Sequence, residues 1–286
     1  MTIGKLPEDF DPKLYLELHP DVKDSGLDAA LHYLNHGQRE GRPYQKAQGY
    51  LLPDIQTPYN FDGLRSVHNH DFMQEKEFIW AYTRGVQAAG QDYQIYWRVH
   101  LALWAARTSI KLGGDFVECG VNRGFVSSAI MKDLDWDTTG RVFYLLDTFA
   151  GLDERYVSAN EKIGGILEKN RQHLDSGFYT QDFESVRKTF SEWKNISLII
   201  GSIPETLSQI TSEKIAFLHL DLNCSLPEIA SIQKLWSRIV TGGIVLLDDY
   251  GYYGFHSQKK AFDCWAAETG IPIASLPTGQ GLIIKT

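Results

Sequence analysis

The chain has 286 residues and is mildly acidic, with 28 Lys and Arg against 36 Asp and Glu, a net charge of −8 and a pI near 5.6. Hydrophobic residues make up 43% and charged residues 22%, as in ordinary globular proteins, so the composition excludes a largely disordered chain. Because the chain is acidic and its basic residues form no blocks, we expect no nucleic-acid partner.

The apolar runs and the cysteines bear on the compartment. No apolar run approaches the ~18 residues that a membrane span needs, and the start of the chain lacks the layout of a secretory signal, so we expect no membrane partner. Cys119, Cys224 and Cys264 are odd in number and never in C-x-x-C spacing. They argue against a disulfide scaffold and a thiolate zinc site, and they predict a cytoplasmic protein with three buried thiols.

The first residues, 1–45, are predicted to form a small helical module. Pro12 opens a short helix over 13–18, and a second helix is expected over 27–36. Gly37 follows as the expected C-terminal stop of that second helix.

The sequence of this module resembles a short helical module found beside bacterial glycan-modifying domains. The similar segments are Phe10-Asp-Pro-Lys-Leu-Tyr-Leu-Glu-Leu-His-Pro-Asp-Val and His32-Tyr-Leu-Asn-His-Gly-Gln-Arg-Glu-Gly-Arg-Pro. We expect a docking or packing role for it, with ligand binding as the alternative.

A linker and a helical lead-in precede the main domain. Residues 46–60 are aperiodic and contain Pro, Gly and Gln, which is typical of a linker, and 61–112 is expected to be a mainly helical lead-in. Within it, a helix over 96–111 carries a stripe of residues at helical spacing that we expect to be buried. The stripe consists of Trp97, Leu101, Trp104, Ala105 and Thr108.

Strands and helices alternate from Gly114 onward, which predicts an α/β domain with a largely parallel sheet covered on both faces. The expected strands are 115–119, 142–147, 196–200, 215–221, 243–248, 272–276 and 281–285. The last two are separated by a turn alone, without a helix.

A glycine turn follows the first of these strands, in Phe116-Val-Glu-Cys-Gly-Val-Asn-Arg-Gly. Ligands of open α/β sheets bind at the carboxyl ends of the strands, where glycines let the backbone approach them. The spacing G-x-x-x-G matches neither the dinucleotide fingerprint nor a P-loop. A ligand-binding loop and a plain strand-to-helix turn are therefore equally good interpretations.

Acidic residues close three further strands. Asp147 is well placed to accept both hydroxyls of a ribose, and the alternative is a carboxylate that caps the next segment. Asp221, Asp248 and Asp249 follow two apolar strands that are plausible neighbours. Three converging carboxylates repel one another unless a cation joins them, and oxygen ligands suit Mg²⁺. The alternative is that Asp248 and Asp249 simply occupy a turn.

Five motifs in order resemble the macrocin (TylF-type) O-methyltransferases, over about residues 72 to 286. They are Val117-Glu-Cys-Gly-Val-Asn-Arg-Gly, Leu146-Asp-Thr-Phe-Ala-Gly-Leu, Gly201-Ser-Ile-Pro-Glu-Thr-Leu, Leu218-His-Leu-Asp-Leu and Gly242-Gly-Ile-Val-Leu-Leu-Asp-Asp-Tyr-Gly. The resemblance implies a Rossmann-like seven-stranded methyltransferase sheet whose last strand is antiparallel, over 61–286. It also implies S-adenosylmethionine and Mg²⁺ as cofactors.

The resemblance assigns roles to matching positions. The cofactor-binding residues would be Glu118, Gly120 and Gly124 for the methionine part, Asp147 for the ribose, and Gly201 and Ser202 for the adenine. The Mg²⁺ ligands would be Asp221, Asp248 and Asp249. Where the family usually has a second acid, this chain has Asn223, whose neutral oxygen is expected to weaken the metal site.

Catalysis is assigned to Asp221, through the metal, and to His256, as the base that takes the acceptor's proton. His256 lies on a glycine-flanked loop just after the metal acids, and a surface histidine that caps the next helix is the equally good alternative. His219 is expected to be a core histidine.

The sequence therefore predicts an Mg²⁺-dependent O-methyltransferase for a small hydroxylated acceptor, a sugar or a glycoside, with a homodimer as one possible state. A non-catalytic binding module on a degenerate methyltransferase fold is the main alternative, with Asn223 in its favour. A nucleotide-dependent oxidoreductase is disfavoured because the pyrophosphate fingerprint is absent.

Overall fold

The computed structural model describes residues 5–40, 42–44 and 59–286. The chain divides into two compact units, Met1–Pro58 and Tyr59–Thr286, and each is described by itself. Most of the expected linker, 46–60, lies outside the described residues. Its last two residues belong to a strand of the second unit. Within the described part of the chain, no helix is both long and apolar enough to cross a membrane.

The first unit is a cluster of short helices. They are α1 (Pro12–Leu18), α2 (Pro20–Asp24), α3 (Ala29–His32), a π-helical turn (Tyr33–Gly37) and α4 (Gln38–Glu40). Asp11 caps α1 by accepting the backbone N–H groups of Lys13 and Leu14. Among the described residues of this unit, the buried hydrophobic side chains of the core are Tyr15, Val22, Ala29 and Tyr33.

Gly37 was expected to stop the second helix, and this prediction is wrong. The chain remains helical through Gly37 into α4. A Cβ at this position would overlap the hydroxyl of Tyr15, so close packing rather than chain reversal requires the glycine.

The second unit begins with a β-hairpin that was not predicted from the sequence. Strands β1 (Tyr59–Phe61) and β2 (Leu64–Ser66) pair antiparallel. Asp62 and Gly63 connect them with positive φ angles of 51° and 72°, the conformation for which Asp-Gly turns are favoured.

Two helices follow, α5 (Lys76–Ala89) and α6 (Tyr96–Ser109). Of the predicted buried stripe of α6, only Ala105 is fully buried; Trp97 is partly buried against the core, and Trp104 is 44% exposed. The buried face is instead made mainly of small residues, together with one arginine: Arg98, Val99, Ala102, Leu103, Ala105, Ala106 and Ser109. Small side chains let the helix lie close to its neighbours.

The central sheet has seven strands in the order β5-β4-β3-β6-β7-β9-β8. The strands are β3 (Asp115–Cys119), β4 (Phe143–Asp147), β5 (Ile196–Ile200), β6 (Ile215–Leu220), β7 (Ile239–Leu247), β8 (Ala274–Ser275) and β9 (Gly281–Ile284). Strands β3 to β7 pair parallel, and β9 is antiparallel to both neighbours. The expected sheet and its antiparallel last strand are confirmed.

Helices cover both faces of this sheet. The remaining ones are α7 (Phe125–Asp133), α8 (Ala159–Ile163), α9 (Ile166–Asp175), α10 (Phe183–Thr189), α11 (Ser225–Leu235) and α12 (His256–Thr269). Successive residues of β3 point to opposite faces: Phe116 packs in a core with α5, α6 and α7, and Val117 in a core with α11 and α12. The strands are therefore apolar throughout, because both faces are buried.

The predictions for the last helix and for the three cysteines have different outcomes. Helix α12 ends at Gly270 in the left-handed conformation with Phe262 and Trp265 buried, as expected. The thiols of Cys119 and Cys224 are buried as predicted, but Cys264 on α12 is exposed.

Candidate functional site

A cleft of about 460 Å³ opens at the carboxyl ends of the parallel strands β3, β4, β6 and β7. It brings together the predicted residues Glu118, Gly120, Asp147, Gly201, Ser202, Asp221, Asp248 and Asp249. Open parallel sheets bind their ligands at this edge, where the strand order reverses between β3 and β6.

The glycine turn after β3 forms the floor of the cleft. Gly120 has φ +95°, and a Cβ there would overlap the carbonyl oxygen of Asp221. Gly124 also has positive φ, but it does not line the cleft, and a Cβ there would overlap the ring of Phe190. The structure thus gives Gly120 a place at the site and Gly124 a place in the packing behind it.

Asp147 at the end of β4 holds this turn in shape. Its Oδ2 accepts the backbone N–H groups of Val121 (2.8 Å) and Asn122 (2.7 Å), and its Oδ1 accepts that of Phe149 (2.8 Å). Burial raises the pKa of Asp147, and these three donors oppose that rise. Each carboxylate oxygen has two lone pairs, so Oδ2 is fully engaged by its two donors and Oδ1 retains capacity for a hydroxyl ligand.

The third part of the cleft floor follows β5. Gly201 has φ +134° and donates its N–H to the carbonyl of Asp147 at 3.0 Å. Ser202 Oγ donates to Asp153 Oδ2 at 2.5 Å. The neighbouring Arg155 keeps the pKa of Asp153 well below its usual range. Asp153 was missed from the sequence, although it follows the Thr-Phe-Ala-Gly-Leu motif directly.

A buried acid and histidine lie under the centre of the cleft. Glu118 Oε1 is 2.9 Å from His219 Nδ1, and Glu118 Oε2 is buried without a hydrogen-bond partner. Burial lowers the pKa of His219, but the carboxylates of Asp248 and Glu118 outweigh it and raise that pKa to about 10. His219 is a core histidine, as expected, and it supplies a positive charge beneath the site.

The three predicted metal acids differ in their partners. Asp221 Oδ1 accepts from the amide of Asn223 at 3.1 Å. Asp248 Oδ1 accepts from Gln280 Nε2 at 2.8 Å, and its Oδ2 pairs with Arg98. Asp249 Oδ2 is buried without a hydrogen-bond partner.

Arg98 is the cation that pairs with these acids, and it was not predicted from the sequence. Its Nε is 2.7 Å from Asp62 Oδ2, its Nη1 contacts Asp248 Oδ2, and Nη1 is 3.9 Å from Asp249 Oδ1. The guanidinium lies over the ring of Tyr252 at 4.1 Å from the ring centre, and Tyr252 donates its hydroxyl proton to Asp62. Burial lowers the pKa of Arg98, but the surrounding carboxylates raise that pKa by more, so the guanidinium stays charged.

As arranged, these residues do not fit a divalent cation. Both oxygens of Asp248 have protein partners, and the guanidinium of Arg98 provides the positive charge that a metal would provide. Within 5–40, 42–44 and 59–286, no three His, Cys, Asp or Glu residues gather in a group that could hold a metal ion. The Mg²⁺ site predicted at Asp221, Asp248 and Asp249 is therefore not supported by this geometry.

His256, the predicted base, is not brought to the cleft. It is the exposed first residue of α12 and lines a separate shallow depression with Lys259 and Asp263. The preceding residue, Phe255, does line the cleft. This position agrees with the alternative of a surface histidine at a helix start.

Five aromatic side chains also line the cleft, and we call them its aromatic wall. They are Tyr93, Phe178, Tyr179, Tyr252 and Phe255. The ammonium group of Lys169, on α9, lies 4.4 Å from the ring centre of Phe255 and joins two sides of this wall.

Solved O-methyltransferase structures share this fold. The O-methyltransferase NovP superposes with a TM-score of 0.58 at 20% identity, covering 71% of this chain and 88% of that chain. CalS11, a calicheamicin methyltransferase, superposes with a TM-score of 0.54 at 15% identity, covering 81% of this chain and 98% of that chain. The fold is that of the Rossmann-like methyltransferases.

The sequence defines the family within that class. Residues 104–274 match the macrocin-O-methyltransferase (TylF) family, and the chain belongs to it. A tetracenomycin-C 4′-O-methyltransferase from Streptomyces olivaceus, which acts on an 8-demethyl-8-(2,3-dimethoxy-α-L-rhamnosyl) derivative, is 29% identical over 144 residues. That match covers 48% of this chain and 53% of the relative, so the chain spans about half of the relative's length.

Proposed function

We propose that the chain transfers a methyl group from S-adenosylmethionine to a hydroxyl of a sugar or a glycosylated natural product. The observation that carries this proposal is the glycine turn after β3, which Asp147 holds open beside Glu118 in a chain of the TylF family. The relative from Streptomyces olivaceus, which modifies a rhamnosyl compound, supports a sugar acceptor.

The cleft floor fits the cofactor. At Gly120 the backbone leaves room that a Cβ would fill, and the buried Oε2 of Glu118 lacks a partner, so it suits the ammonium group of a methionine. The remaining acceptor capacity of Asp147 Oδ1 suits a ribose hydroxyl, and the Gly201–Ser202 turn borders the space for the adenine.

The aromatic residues of the cleft suit the acceptor. Tyr93 and Tyr179 offer rings for the apolar face of a sugar and hydroxyl groups for its polar edge. When bound, the cofactor supplies a methyl group that its sulfonium already activates. The protein therefore has to align the acceptor oxygen with that methyl and exclude water, and alignment of this kind contributes much of an enzyme's rate.

Mg²⁺ dependence, which the family resemblance implies, is not part of this proposal because the acids of the site already have a protein cation. Incubation with isotopically labelled S-adenosylmethionine and a panel of rhamnosides and free deoxysugars tests the proposal. We expect the label in one acceptor class. No transfer to any hydroxylated acceptor would instead favour the non-catalytic binding module.

A further inference from the structure

We propose that Arg98 is the permanent cation of the acidic edge of the cleft and that this site takes no divalent metal ion. The inference deepens the proposed function, since it concerns how the same site handles its charge. Arg98 acts as a positioning residue, because it holds Asp248 and its neighbours and carries no reacting atom.

The first argument is charge. Four carboxylates line this edge of the cleft, from Asp62, Asp221, Asp248 and Asp249, and like charges that share a buried site repel one another. Arg98 is buried among them and pairs with Asp62 and Asp248 at once. The ring of His219 packs against the same acid, with Nε2 3.5 Å from Asp248 Oδ1.

The second argument is geometry. Three elements hold the guanidinium: α6 carries it, the β1–β2 turn provides Asp62, and the loop after β7 provides Asp248 and Tyr252. Gln280 occupies the remaining oxygen of Asp248. A metal ion at Asp248 would have to displace a fixed, ring-stacked arginine, at a large cost in desolvated charge.

The third argument is the donor set. Asn223 stands between Asp221 and the following helix, and its amide donates to Asp221 Oδ1. The amide nitrogen thus occupies a carboxylate oxygen that a metal would need. Removal of Arg98 alone would free Oδ2 of Asp248 and leave the acids without their main counter-charge.

Titration of the full-length chain with Mn²⁺, followed by electron paramagnetic resonance, tests this directly. We expect wild type to bind no Mn²⁺ at millimolar concentration. Arg98→Gln should gain a Mn²⁺ site whose affinity is on the order of a hundredfold higher than any residual affinity of wild type, because the substitution removes one positive charge from a partly buried acidic cluster. Arg107→Gln is the matched control: Arg107 pairs with Asp133 on α7, away from the cleft, and its loss should create no site.

Thermal-shift measurements test the same proposal if Arg98→Gln is destabilised. Mg²⁺ should raise the melting temperature of Arg98→Gln and leave that of wild type unchanged, since an ion that binds only the native state stabilises it. Arg98→Lys should restore insensitivity to Mg²⁺. If Arg98→Gln does not fold, wild type decides: micromolar Mn²⁺ binding overturns the proposal, and its absence supports it.

An activity arm separates this inference from the proposed function. Methyl transfer by wild type should be the same in EDTA and in Mg²⁺. Transfer that stops in EDTA and returns with Mg²⁺ contradicts the inference but not the proposed function. Failure of all transfer, with no Mn²⁺ binding, contradicts the proposed function and leaves Arg98 as the cation of the site.

Discussion

Single backbone positions set the shape of the cleft floor, and Gly120 is the most constrained of them. It combines positive φ with a contact in which any Cβ would overlap the backbone of the neighbouring strand end. Backbone cannot move aside as a flexible side chain can, so this position tolerates only glycine.

Gly120→Ala should therefore lower the free energy of unfolding by on the order of 3 kcal/mol and abolish binding of S-adenosylmethionine. Gly140→Ala is the matched control, because Gly140 also has positive φ but open space around it. It should cost about 1 kcal/mol and leave binding intact. Chemical denaturation and calorimetry measure both, and equal effects of the two changes would refute the steric account.

Asp147 acts on the same turn through hydrogen bonds. Asp147→Asn replaces an acceptor of three N–H groups with a side chain that accepts at one oxygen only. A lost hydrogen bond to a charged group costs about 1.5–3 kcal/mol, so we expect the Kd for S-adenosylmethionine to rise roughly 10- to 100-fold. Calorimetry measures the change.

Asp115→Asn is the matched control for Asp147→Asn. Asp115 at the start of β3 also accepts a backbone N–H, from Val142, but it does not line the cleft. Its replacement should leave the cofactor affinity unchanged, and a drop as large as that of Asp147→Asn would show that the effect is general destabilisation.

At the scale of elements, a buried acid ties the segment that carries part of the cleft wall to the body of the domain. Glu161 on α8 completes a capping box with Ser158, and its Oε1 accepts the N–H of Ser225 at the start of α11. Helix α9, which follows, has no fully buried residue, so its backbone is open to local unfolding.

Glu161→Gln should speed amide hydrogen exchange over 159–175 about tenfold, because the charged acceptor of these bonds is lost. Mass spectrometry of exchange measures this effect peptide by peptide. Glu168→Gln, an exposed change on α9, is the control and should leave exchange as in wild type. Unchanged exchange in Glu161→Gln would mean that other contacts hold the segment.

Strands and helix faces differed in how well the sequence predicted them. The strands β3 to β7 were predicted because continuous apolar runs are typical of sheets buried on both faces. At the start of α11, Glu228 accepts the N–H of Leu222, and Cys224 precedes the first helical residue. Local patterns could not show that Glu161, distant in sequence, takes the N–H of Ser225.

The candidate site was predicted where residues close a strand and missed where they come from elsewhere. Asp147, Asp221 and Asp248 follow strands, so topology alone brings them to one edge. Arg98 lies on a helix and Asp62 in a hairpin, and only the tertiary fold joins them to Asp248. An arginine on a helix face otherwise made mainly of small residues is the signal that indicates a buried acidic partner.

At the scale of the whole molecule, the described cleft residues all belong to the unit Tyr59–Thr286. This unit has its own sheet and two cores. We therefore expect a chain that begins at residue 59 to fold and to bind S-adenosylmethionine within about twofold of the full-length affinity. Calorimetry with both chains measures this, and loss of binding would assign the first unit a part in the site.

Cofactor choice is the most direct test of the central claim, that this cleft binds S-adenosylmethionine. Full-length protein should be titrated by calorimetry with S-adenosylmethionine, S-adenosylhomocysteine and NADPH in separate runs. The account predicts one site per chain for the first two ligands and none for NADPH, because the glycine turn lacks the spacing that holds a pyrophosphate. Binding of NADPH without binding of either adenosyl ligand would contradict it.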